Sequence, residues 1–123
     1  MTRKLSEKSK TKKLDKLWSE YIKKRANGRC EMCGSTDYVN AHHIFGRRNF
    51  SVRWDVENGI LLCAKHHTFD RFSAHQAPTW FSDWLVEYKS WEWYEELLKK
   101  AKTVCKPDKD ELIEYLTELL ERK

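Results

Sequence analysis

The chain has 123 residues, a formal net charge of +5 and 40% apolar residues, among them six Trp and with them five Tyr and five Phe. This allows one compact domain with short helical additions and enough aromatic mass for a core. No run of 18 apolar residues occurs and no apolar stretch follows the Lys-rich start, which argues against a membrane span or secretory signal and points to a cytoplasmic, intracellular protein.

Charge is concentrated at the start. Residues 1–29 hold eleven Lys/Arg against three Asp/Glu, residues 30–76 are balanced and residues 77–123 are net acidic. A basic head of this kind suits a polyanion such as nucleic acid, although it also serves solubility. Residues 1–12, which include Arg3, Lys4, Lys8, Lys10 and Lys12, read as a tail disordered in the absence of a ligand.

A helix is expected from about Leu14 to Asn27. Leu14, Leu17, Trp18, Tyr21 and Ile22 fall on one face, and Gly28 closes it. Short strands are expected at Tyr38–Ile44 and Gly59–Cys63, with a polar, Arg-bearing loop between them and a helix after Cys63. Three further helices follow. Thr79 caps a stripe of Phe81, Trp84, Leu85 and Tyr88, and Ser90 caps one of Tyr94, Leu97, Leu98 and Ala101. After Pro107, Asp108 and Glu111 form a capping box ahead of Leu112, Ile113, Leu116, Leu119 and Leu120. The division is then a basic tail (1–12), a core with its leading helix (13–76) and a helical extension (77–123).

Four cysteines occur, and in a reducing compartment they suit metal ligation better than disulfides. Cys30 and Cys33 have the spacing with which a tight turn offers two thiolates to one tetrahedral Zn²⁺, and Cys63-x-x-His66 supplies a second pair after 29 intervening residues. A redox dithiol at Cys30/Cys33 is the alternative, but no βαβ pattern surrounds it. Cys105 stands apart. A structural zinc at Cys30, Cys33, Cys63 and His66 would supply folding energy to a small chain. Inside that frame lie His42, His43 and His67. A chain that only bound DNA through a zinc staple would not need these three together.

Cys30-x-x-Cys33, Ala41-His42-His43-Ile44 and the run from Glu57-Asn58-Gly59 to Cys63-x-x-His66-His67 together resemble the HNH nucleases, over about a third of the chain. The resemblance implies an α+β fold: a ββα-metal core with the Cys3His zinc site, flanked by the N-terminal helix and the C-terminal helices. It implies a metal-dependent endonuclease acting on DNA. In it His43 is the general base, Asn58 ties the loop to the backbone so as to hold His43, and His67 binds the catalytic metal. His42 stands where many members carry Asp and becomes the second ligand. The colicin DNases also carry a His-His pair. The catalytic ion would be Mg²⁺, Mn²⁺ or Ni²⁺, with a softer donor set than an Asp-bearing site. Arg47, Arg48 and Arg53 are candidates to hold flanking phosphates. His75 would approach the same face if one helix continued through it. His75, Pro78, Phe81 and Trp84 also resemble extensions of phage-encoded members, which makes a phage packaging complex a candidate partner.

Overall fold

The computed structural model of the protein describes residues 5–122. In chain order it contains α1 (Glu7–Arg25), β1 (Val39–His43), β2 (Gly59–Cys63), α2 (Pro78–Tyr88), α3 (Trp91–Lys102) and α4 (Lys109–Glu121). A 3-10 turn at Val56–Asn58 leads into β2, and a single turn of π-helix at Lys65–Phe69 follows it.

α1 starts at Glu7, well ahead of the expected Leu14. The Ser6 hydroxyl accepts from the Ser9 amide at 3.1 Å, and Glu7 supplies an acidic residue to the first turn. Acidic α4 lies alongside: Lys10 reaches Asp110 at 3.1 Å, and Lys109 reaches Glu7 at 2.7 Å. Residues 7–12 are therefore helical, not a disordered tail, with Lys10 paired to Asp110 and Glu7 paired to Lys109 of α4. Arg3 and Lys4 lie outside the described residues.

β1 and β2 pair antiparallel, Val39 opposite Cys63 and His43 opposite Gly59. Both faces of this small sheet are covered. On one, Leu61 packs with Leu14, Trp18 and Ile22 of α1, with Trp54, and with Leu116 of α4. On the other, Ile60 and Leu62 pack with Cys30, Cys63, Ala74, and Phe81 and Leu85 of α2. Burial on both sides explains why β2 reads as a continuous apolar run with no alternation. α1 lies so close that a Cβ on Gly59 would meet Ile22 and Trp18 at 2.6 Å. Arg25 adds a clamp, donating to the carbonyls of Val56 and Gly59 at 2.7 and 2.8 Å.

Two expectations of local structure fail. The helix expected after Cys63 is only one π-turn, followed by irregular chain to Ala77. Thr79 does not cap α2; Pro78 occupies its first turn, where a missing N–H costs nothing. Ser90 and Asp108 do cap, accepting from Trp93 and Glu111 amides at 3.1 Å each.

Candidate metal centres and active site

The Cys30-x-x-Cys33 turn closes through the Gly34 amide, which donates to the Cys30 carbonyl at 2.8 Å, and Gly34 takes a φ of +79° that favours glycine. Glu31, within this turn, holds the outer edge of β2. Its amide donates to the Leu61 carbonyl at 2.8 Å, and its carboxylate accepts from the Leu61 amide at 2.7 Å and from the Tyr88 hydroxyl at 3.0 Å. The turn is thereby fastened beside Cys63.

Cys30, Cys33, Cys63 and His66 converge as a group that could hold a metal ion. Cys33 and Cys63 sulfurs are 3.8 Å apart, and the His66 Nδ1 lies 3.3 Å from the Cys63 sulfur and 3.8 Å from that of Cys30. Zinc–ligand bond lengths give tetrahedral edges of about 3.8 Å between sulfurs and about 3.6 Å from sulfur to nitrogen. The residues fit such an ion. Burial opposes ionisation of Cys30, but backbone groups of Cys63, Cys33 and Met32 outweigh it and hold the thiol below its ordinary value.

The second convergence comprises His42, His67 and His75. His67 and His75 Nε2 atoms are 3.0 Å apart, and the His42 ring centroid is 5.1 Å from each of theirs. Burial, then the neighbouring His67, His75 and His43, push His42 down to about 3. Burial and His75 lower His67 as well. With their ligand nitrogens all within 4.8 Å of one another, the three imidazoles can offer lone pairs to one cation. His75 arrives by a different route from the expected continuous helix. The chain leaves the π-turn, loops out and returns, with the Ala74 and His75 amides donating to the His66 and His67 carbonyls at 2.8 and 3.1 Å.

His43 sits beside this group on the opposite face of β1, as strand alternation requires. It is the last residue of the strand, so it can still border the same open cavity of about 510 Å³, with His42, His67, His75, Arg47 and Arg48. Its ring stacks on Trp18 of α1 at 3.8 Å and 10°. Trp18 is itself only 1% exposed and donates from Nε1 to the Asp55 carbonyl at 2.9 Å. His43 Nε2 lies 3.0 Å from the Arg53 carbonyl. A carbonyl only accepts, so Nε2 carries the hydrogen and the neutral ring keeps its lone pair on Nδ1. Burial pushes His43 down to about 4, against the opposing pull of that carbonyl and of Asp15.

Asn58 is buried and exchanges two hydrogen bonds with Phe45: its Oδ1 accepts from the Phe45 amide at 2.8 Å and its Nδ2 donates to the carbonyl at 3.0 Å. Those bonds fix the chain two residues beyond His43. The three arginines separate. Arg47 and Arg48 border the cavity, but Arg53 does not; its side chain is 11% exposed and bound side-on to Asp15, from Nε at 3.1 Å and Nη2 at 2.7 Å. Trp54 Nε1 donates to the same carboxylate at 2.8 Å and Arg47 at 3.2 Å. Despite the burial that opposes it, these donors hold Asp15 below the usual carboxylate value. An arginine so engaged is not free for phosphates, contrary to the sequence expectation for Arg53. Sequence reasoning missed Asp15 and Trp18; both look like ordinary helix positions until the loop of residues 45–58 folds over them.

A two-stranded antiparallel sheet followed by a helical turn, with histidines from the strand and the turn converging beside a Cys3His group, has the arrangement of a ββα-metal fold. In agreement, residues 30–75 match the family described as HNH endonuclease. No curated protein and no solved structure gives a significant match.

Proposed function

We propose that the protein is a metal-dependent HNH endonuclease that hydrolyses phosphodiester bonds in DNA. The observation that carries this reading is His43 with a free Nδ1 at the rim of a cavity that also contains the His42, His67 and His75 group. In this reading Cys30, Cys33, Cys63 and His66 hold a structural Zn²⁺. His42 and His67, joined by His75, hold a catalytic Mg²⁺, Mn²⁺ or Ni²⁺, which when bound polarises the scissile phosphate and offsets charge on the leaving oxygen. His43 Nδ1 takes a proton from the attacking water while Nε2–H stays on the Arg53 carbonyl. The water oxygen bonds to phosphorus, the bond to the leaving oxygen breaks, and that oxygen is protonated from solvent. Asn58 keeps the loop in place, and Trp18 and the Asp15–Arg53 pair keep the His43 ring in place. Arg47 and Arg48 hold flanking phosphates.

The catalytic core spans about residues 13–76 in this reading, with 77–123 as a helical extension packed against it through α2 and α4. A phage packaging complex is a candidate partner, on the resemblance of His75, Pro78, Phe81 and Trp84 to extensions of phage-encoded members. Cleavage of supercoiled plasmid across Mg²⁺, Mn²⁺, Ni²⁺ and Zn²⁺, with nicked and linear products resolved, tests the proposal. His43→Ala should abolish cleavage while zinc content and DNA affinity stay near wild type. Wild-type rates in that variant under matched metal would remove His43 from the mechanism.

A further inference from the structure

The loop between the two clustered histidines His67 and His75 exposes an aromatic surface that nothing in the hydrolytic step uses. Phe69 is 81% exposed and Phe72 is 51% exposed. Phe72 lies 5.6 Å from the half-buried Trp80 ring, and the Arg71 guanidinium sits 5.4 Å over Phe72. The loop is not free to carry these rings away. Ser73 and Ala74 are buried, the Ala74 and His75 amides bond back to His66 and His67, and Gln76 Nε2 donates to the Thr68 carbonyl at 3.1 Å. Phe69 is two residues from His67, no more than about 7 Å along the chain. The loop's single carboxylate, Asp70, faces Lys65 at 3.7 Å, so Arg71 gives the surface a net positive character.

We infer that Phe69 and Phe72, with Arg71, form a stacking subsite for unpaired nucleobases flanking the scissile phosphate. The inference rests on the nuclease reading above and adds a substrate class to it. Aromatic faces beside a cation recognise nucleobases without regard to sequence, because every base has a π-face. In an intact duplex those faces are covered by neighbouring bases, and only single-stranded, bubbled or flipped nucleotides present them. Exposed rings on the loop that joins two histidines of the proposed cutting centre therefore favour DNA with unpaired bases at the cut.

The test measures binding of the full chain, without added divalent metal, to a fluorescein-labelled single-stranded oligodeoxynucleotide and to the same strand annealed to its complement. Wild type should bind the single strand more tightly. A Phe69→Ala, Phe72→Ala double variant should lose about ten-fold on the single strand, the scale of one base–aromatic stack, and less than two-fold on the duplex. Phe69→Tyr with Phe72→Tyr, which keeps both rings, should restore binding. If the double alanine variant loses its zinc or its melting transition, Phe69→Ala alone decides by the same criteria. Tighter binding of the duplex by wild type, equal losses on both DNAs, or unchanged single-strand binding would overturn the inference. So would unchanged single-strand binding combined with a smaller species in gel filtration, which would make the rings a protein interface. Plasmid cleavage by wild type is scored separately, so failure of the nuclease reading is distinguishable from failure of the subsite.

Discussion

His43 has one nitrogen left for chemistry, and the protein fixes which one by giving the other a carbonyl. Burial holds its proton affinity down to about 4. In its proposed role as base His43 must be unprotonated to act, so activity should be present above the folded-state value and lost as pH falls through it. The acid limb of kcat/KM should therefore lie well below the ordinary imidazole value of 6.5, towards 4. A limb at 6.5 in a pH series at saturating metal would mean that the base titrates as if free in water. Asp15 acts one step further out, by holding the arginine whose carbonyl receives His43. Asp15→Asn leaves a largely buried guanidinium without its counter-charge and should cost about 2 kcal/mol in urea unfolding, the scale of hydrogen bonds to charged groups. It should also lower kcat with KM little changed. Unaltered kcat in a folded Asp15→Asn protein would make the pair structural only.

At the scale of elements, the π-turn at Lys65–Phe69 carries two adjacent histidines to two different centres. His66→Cys should keep tightly held zinc, the fold and appreciable cleavage, since thiolate is an equally good zinc ligand. His67→Ala should keep that zinc and the fold but lose most activity. Atomic absorption and plasmid nicking on both variants check the division; loss of tight zinc in His67→Ala would reverse it. The spacing of the Cys and His pairs and the apolar run of β2 were readable in the sequence because each is a local pattern. What could not be read depends on partners far along the chain. Trp18 meets His43, Asp15 meets Arg53, and Lys10 finds Asp110 only after the chain has folded. A continuous helix would bring His75 to the same face; it arrives instead on a loop pinned by backbone hydrogen bonds that no side-chain periodicity encodes.

For the whole molecule, charge is arranged more selectively than composition suggests. Lys10 and Lys109 are taken up between α1 and α4, whereas Lys12, Lys13 and Lys16 remain exposed along a shallow groove on α1. Deleting residues 1–12 would therefore confound charge with loss of the first turns of α1, and substitution is the cleaner experiment. Changing Lys12, Lys13 and Lys16 to Gln should weaken duplex binding and flatten its dependence on salt, by about 0.9 in log–log slope for each phosphate no longer neutralised. An unchanged slope would make this helix face a bystander.

The Glu31 hydrogen bonds to Leu61 have a bearing on how the protein would fail. They occupy the outward-facing amide and carbonyl of β2, which would otherwise offer a bare strand to any passing chain. Glu31 is held there by the cysteines on either side of it. Stripping the metal should therefore free an adhesive border on a strand made of Ile60, Leu61 and Leu62, and the first sign of chelation should be self-association. Light scattering should rise before helix content falls when a chelator is added, and Glu31→Ala should show the same stickiness with its zinc still bound.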